Sequence, residues 1–170
     1  MIRVINEVNG FDQQIGHLVA MMSITRSVTI QEVMKLSVKQ LDFNDNNRWN
    51  SIGTLLKHIA ALETWYYNLT FNGRDLNSAE RIFWQGALPG ELDLGLIKGN
   101  DIHYYLECLH NIRSQTIKEL QNKEDEWLYV QSVSGSNNYY KWFHVMEDEI
   151  SHRGQIKWIK ARFPSSLDVK

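Results

Sequence analysis

WFHVMEDEISHRGQIKWIKARF, residues 142–163, decides the fold. At helical spacing Trp142, Val145, Glu149, His152, Ile156, Ile159 and Phe163 fall on one stripe. All but two are apolar, as a helix facing a core requires. The exceptions, Glu149 and His152, interrupt the stripe at its middle. Asp148 lies four residues before His152, so their side chains can meet. A carboxylate and an imidazole turned inward must be paired, protonated or bound to a cation, because burying them alone is costly. The rest of the chain has to supply that partner.

Working back from this segment, three more stretches carry the helical period. Ile15, Leu18, Val19, Met22, Thr29, Val33 and Leu36 predict a first helix from about Ile15 to Leu36. Asn50 or Ser51 can cap a second, which runs to about Asn72 and stops at Gly73. Its stripe reads Leu55, His58, Leu62, Trp65 and Leu69, again with one histidine among large apolar side chains. A third starts near Asp101 and continues through Tyr105, Leu109, Ile112, Thr116 and Leu120. Residues 37–50 form a polar connection dense in Asn and Asp. The stretch 73–100 is irregular, with a short helix from Ser78 through Gln85, and its length marks it as a crossover or a lid over a site. Residues 124–140 read as a loop or irregular hairpin around the turn SGSNN. Four amphipathic segments without sustained strand alternation predict an all-α fold, a four-helix bundle with long irregular connections, as a single domain over 1–170. The long connections leave simple up-down-up-down order open.

The 170 residues suffice for one sizeable core, and 43% hydrophobic composition is globular. A formal net charge of −2 offers no basic surface for nucleic acid. No stretch approaches the roughly 20 apolar residues of a membrane span, and the N-terminus lacks the apolar core of a signal peptide. Cys108 is the single cysteine, which excludes an intrachain disulfide and a cysteine-based zinc cluster. The expectation is a soluble cytoplasmic protein with a small-molecule substrate and neither a nucleic-acid nor a membrane partner.

Metal sites in bundles are built from inward side chains on facing helices. His58 from the second helix, with Asp148 and His152 from the fourth, makes a set of two histidines and one carboxylate. These donors suit zinc, nickel, iron or manganese without choosing among them. Three protein ligands leave positions open, as a catalytic site requires. Glu149 is a competing carboxylate that can ligate, hydrogen-bond to a ligand, or act as a base through a metal-bound water. The other reading of the same residues is a buried His–Asp–His hydrogen-bond network with no metal. His144 lies at the edge of the set, His17 beside the first stripe, and His103 and His110 are about 10 Å apart along their helix, too far to share a metal. Cys108 reads as an inert structural thiol.

The blocks GFDQQIGHLVAMMSITR, NSIGTLLKHIAALETWYYN, NIRSQTIKEL and EDEISHRGQIKWIKARF resemble the DinB/YfiT-like superfamily, which also contains the bacillithiol and mycothiol S-transferases. The resemblance implies a four-helix bundle, often a homodimer, with a divalent metal held by one histidine of the second helix and two of the fourth. Carried over, the first is His58 and the last is His152 of HRGQI. The middle position, usually histidine, is Asp148, which is shorter, charged and a harder ligand. Glu149 matches an acidic residue common in the motif, and Arg153, Gly154 and Gln155 complete the HRGQ signature. Gly154 is read as close helix packing, Arg153 and Gln155 as support for the ligands. The chemistry implied is thiol-dependent S-transfer, with the metal binding a low-molecular-weight thiol co-substrate as thiolate and directing it at an electrophile. In that scheme Glu149 is the supporting or catalytic carboxylate. Metal-dependent hydrolysis is the alternative with the same site, and a non-enzymatic stress-associated or interaction protein is the alternative without it.

Overall fold

The computed structural model describes residues 4–44, 49–91, 95–133 and 135–167. The Asn-rich positions 45–48 of the first connection and Ser134 of the SGSNN turn lie outside them. Helices α1 (Gln13–Val33), α3 (Ile52–Phe71), α5 (Ile102–Leu120) and α6 (Asn138–Lys160) are long; α2 (Val38–Leu41) and α4 (Ser78–Phe83) are short. Among the described residues the only β-pairing is one isolated antiparallel bridge, Gln131 with Asn137. The fold is an all-α four-helix bundle.

The helix starts follow side-chain chemistry. Ser51, Asp101 and Asn137 accept hydrogen bonds from the Thr54, Tyr104 and Tyr140 amides, satisfying N–H groups that a helix start leaves free. Each such cap contributes about 1 kcal/mol. Ser51 rather than Asn50 caps α3, and Asn77 rather than Ser78 caps α4. The polar connection after α1 holds a helical turn, α2, because Ser37 and Gln40 form a reciprocal capping box. Helix α6 begins four residues before Trp142, where Asn138 binds the Trp127 carbonyl and Lys141 binds the Ser136 carbonyl.

Side-chain pairings fix the directions. Met22, Arg26 and Glu32 of α1 meet Trp142, Glu149 and Lys160 of α6, so these helices run parallel. Gly53 and Glu63 of α3 meet Tyr105 and Arg113 of α5, so these run parallel too. His58 and Tyr66 of α3 meet His152 and His144 of α6 in reverse order, as do Arg26 and Met22 of α1 with Leu109 and Arg113 of α5. The order is up-down-down-up. A parallel α3–α5 pair requires the chain to travel back along the bundle, about 30 Å for helices of this length. That requirement accounts for the long 72–101 connection, which is a crossover.

The core divides along the bundle axis. One cluster gathers Leu55, Ile59, Tyr105, Leu109 and Ile156, and the other Leu18, Met22, Leu120, Trp142 and Val145. Within the crossover, Arg74 donates to both carboxylate oxygens of Glu80 at 2.7 and 2.8 Å. Those bonds bring the Glu80 carboxyl down to about 2 against the upward push of partial burial, and the Asn77 amide adds to the effect. A depressed carboxylate contributes stability above its unfolded value and loses it as pH falls through the folded one. Amide protection of α4 is therefore expected to hold above pH ~4.5 and to fall towards pH ~2. Hydrogen-exchange protection factors that stay flat across that window would remove the ion pair as the anchor of α4.

Candidate metal centre

The antiparallel α3–α6 seam brings the three expected side chains together. Asp148 Oδ1 lies 3.2 Å from His152 Nε2 and 3.6 Å from His58 Nε2. The two imidazole rings meet edge to face at 4.8 Å between centroids. One ligating atom from each residue lies within 4.8 Å of the other two. The side chains keep 14–18% exposure, so the cluster sits near the surface and is open to solvent.

The far sides of both rings decide what faces inward. His58 Nδ1 contacts the Ala87 carbonyl at 2.7 Å. A carbonyl can only accept, so Nδ1 carries the proton and Nε2 presents its lone pair to Asp148. His152 Nδ1 contacts Gln155 Oε1 at 3.2 Å, and the same tautomer follows there. Two imidazole lone pairs and a carboxylate oxygen thus converge on one place, an arrangement that repels itself unless a proton or a cation stands between. Asp148 Oδ2 is buried and has no hydrogen-bond partner. Burial pushes the Asp148 carboxyl up, but the bonds and charges of His152 and His58 outweigh it and hold the group far below the carboxylate range. Burial pushes His152 down, and Asp148 outweighs it and raises the imidazole. The donor set and the orphaned carboxylate oxygen fit a divalent cation.

The crossover contributes through its main chain, since Ala87 orients His58. Tyr66 of α3 and Tyr140 of α6 flank the His144 ring at 5.9 and 6.0 Å, making an aromatic wall beside Asp148. Burial, then the charges of Tyr140 and Asp148, raise the Tyr66 phenol, which keeps its proton.

Glu149 is turned elsewhere. It is fully buried and contacts Arg26 at 3.0 Å and Arg113 at 3.4 Å. Glu63 completes the group, at 2.9 Å from Arg26 and 2.7 Å from Arg113. Two guanidiniums and two carboxylates from all four long helices therefore form one buried cluster between the apolar halves of the core. Glu149 could act as a base at the histidines only by giving up these contacts. Sequence reasoning missed Arg26, Glu63 and Arg113, although each follows or interrupts an apolar stripe. Arg153 donates to the Thr25 carbonyl and ties α6 to α1. Gly154, expected to mark close helix packing, has nothing within 4 Å of an added Cβ, so no helix of this chain packs there. His144 contacts Glu147, His17 contacts the Gln13 carbonyl, and His103 and His110 are exposed. Cys108 is half-buried, and burial raises its thiol, as expected of an inert cysteine.

A profile of mycothiol-S-transferases matches residues 17–163. The chain belongs to the mycothiol-S-transferase family. The match runs from the first turns of α1 to just past α6 and takes in every residue of the His58–Asp148–His152 set, in agreement with the DinB/YfiT-like resemblance of the motifs. No curated protein matches this family member. Among solved structures, a conserved protein from Enterococcus faecalis is similar, with a TM-score of 0.65 and 13% identity over 84% of this chain and 92% of that one. At that identity the likeness concerns the fold alone. Among the described residues no helix is long and apolar enough to cross a membrane.

Proposed function

We propose that this member of the mycothiol-S-transferase family is a divalent-metal-dependent, thiol-using S-transferase whose metal ligands are His58, Asp148 and His152. The observation that carries the reading is the convergence of three electron-pair donors with both imidazoles fixed from behind. When bound, a cation such as zinc, nickel, iron or manganese supplies the charge that keeps a thiol ionised at neutral pH.

The chain's own residues do the rest. Ala87 and Gln155 hold the rings so that Nε2 faces the ligand position. Asp148 brings a negative charge that a third histidine would not. The wall of Tyr66, His144 and Tyr140 shields one side of the site, and the protonated Tyr66 phenol is a hydrogen-bond donor available to a departing group. Cys108 is no nucleophile, so the sulfur that reacts comes from a low-molecular-weight thiol co-substrate. The substrates are small molecules, the whole chain 1–170 acts as one domain in the cytoplasm, and two copies form a homodimer.

The test is a transfer assay on metal-reconstituted protein, with an aryl halide or epoxide electrophile and a panel of small thiols. Consumption of the electrophile only when a thiol is present is the expected result. Consumption without thiol would replace transfer by hydrolysis. No turnover with any thiol, on protein that retains its metal, would leave a binding protein.

A further inference from the structure

The carbonyl that orients His58 belongs to a segment of the crossover, residues 84–91, that reads WQGALPGE. It folds as two consecutive tight turns. In the first, the Ala87 amide donates to the Trp84 carbonyl at 2.8 Å, with Gly86 in third place at a φ of 77°. In the second, the Glu91 amide donates to the Leu88 carbonyl at 3.0 Å, with Pro89 in second place and Gly90 in third at a φ of 81°. Proline presets the φ that a second turn position needs, and glycine takes a left-handed third position without strain. Trp84, Ala87 and Leu88 are buried against the core. Glu91 is exposed, and its Oε2 accepts from the Gly86 amide at 2.8 Å. That bond ties the second turn back onto the first. One residue further on, the Ala87 carbonyl accepts from His58 Nδ1 at 2.7 Å.

We propose that Glu91 is a positioning residue for the metal centre: its carboxylate latches the paired turns so that the Ala87 carbonyl stays on His58 Nδ1, and filling of the site and docking of residues 84–91 reinforce each other. The inference deepens the proposed function and rests on its reading of His58, Asp148 and His152 as metal ligands. Glu91 acts at a distance, through the Gly86 N–H and then the Ala87 carbonyl. A carboxylate accepting from a main-chain N–H makes a charge-assisted bond, stronger than a neutral one. Because Glu91 is exposed, that bond rather than core packing is what it adds to the segment. The coupling follows from the imidazole. A ring whose Nε2 carries a cation is a stronger Nδ1–H donor, so the bond to Ala87 tightens when the site is filled. Linkage is reciprocal: the factor by which the filled site favours docking of the segment is the factor by which docking raises affinity for the ion. No substitution at Ala87 removes its carbonyl, so Glu91 is the side chain through which the contact can be probed.

Zinc alone, titrated against a chromophoric chelator at one fixed pH, tests the latch on the full chain as wild type, Glu91→Ala and Glu91→Gln. Both variants change an exposed side chain outside the helices, so circular dichroism should show the wild-type helix content. The side-chain oxygen of glutamine can still accept from Gly86, whereas alanine has none. The expected result is a zinc dissociation constant about 10-fold higher in Glu91→Ala and within about 3-fold of wild type in Glu91→Gln, at the low end of what losing a partner behind a ligating histidine costs. Hydrogen exchange gives the reciprocal readout: zinc should slow exchange of the Gly86 and Ala87 amides in the wild type by roughly 10-fold. Equal zinc affinity in wild type and Glu91→Ala would overturn the proposal and leave the bond as a local brace of the turns. An equal loss in both variants would also overturn it, since the cause would be lost negative charge rather than a lost acceptor. Exchange at Gly86 and Ala87 that ignores zinc would overturn the coupling. Wild-type protein that binds no zinc would defeat the metal reading itself and this inference with it, an outcome distinct from unchanged affinity in the variants.

Discussion

Arg113→Met is expected to lower the unfolding free energy by about 3–5 kcal/mol, out of the roughly 5–15 kcal/mol of a domain this size. Arg113 is 9% exposed and donates to Glu63 at 2.7 and 3.0 Å, to Glu149 at 3.4 Å and to the Met22 carbonyl at 2.8 Å. Removing it leaves two buried carboxylates to share Arg26, one uncompensated negative charge in the middle of the core. In the wild type, burial pushes Glu63 up while the charges of Arg113 and Arg26 hold it below the ordinary value. Without Arg113 the burial effect gains, and Glu63 takes up a proton more readily. A folded-state value raised above the unfolded one contributes stability at low pH and loses it as pH rises. The gap between variant and wild type should therefore be smaller at pH 5 than at pH 8. Urea unfolding at both values measures this. Adding Glu63→Leu to the variant leaves Arg26 opposite Glu149 and should recover most of the loss. A single-variant loss below about 1 kcal/mol, or no recovery in the double variant, would mean that the cluster is solvated rather than buried.

Purified wild-type protein is expected to hold close to one divalent ion per chain by plasma mass spectrometry, and His58→Ala, His152→Ala and Asp148→Ala to hold nearly none. Each of the three supplies one of the converging atoms. Loss in the histidine variants with retention in Asp148→Ala would mean a two-histidine site completed by water, because Glu149 is held by Arg26 and Arg113. Asp148→His should restore binding, since it rebuilds the three-histidine set that the motif resemblance implies. A metal that binds only the folded chain stabilises it by about 4 kcal/mol at a thousandfold excess over Kd. A chelator should therefore lower the wild-type Tm and leave that of His152→Ala unchanged. Wild-type protein that takes up no metal after reconstitution would leave His58, Asp148 and His152 as a buried hydrogen-bond network.

The four long helices could be read from their 3.6-residue period, and so could His58, Asp148 and His152, because each breaks or flanks an apolar stripe at its middle. Other features carry no such signal. Amphipathicity has no direction, so the parallel pairing of α1 with α6 was not in the pattern. The hydrogen bond that orients His58 comes from the main chain of Ala87, where the side chain is irrelevant. Glu149 stood out because it sits between apolar neighbours on its stripe, and its inward position pointed to the metal. Its actual partners, Arg26 and Arg113, come from α1 and α5 and meet it only once the bundle is assembled. Arg113 follows Ile112 and Glu63 follows Leu62, at the flanks of their stripes, where charged residues are ordinary.

The cluster of four charges also imposes an order on biosynthesis. Synthesis releases the chain from its N-terminus onward. A nascent chain that has released α1, α3 and α5 contains Arg26, Arg113 and Glu63 but not Glu149. Its centre would then hold two cations against one anion, and closing around that excess is unfavourable. The three-helix stage should stay loose and hydrated until α6 arrives. The same last helix carries Asp148 and His152. Charge balance in the core and completion of the proposed ligand set therefore become available in one event, which puts the proposed metal uptake at the end of folding rather than at its nucleation.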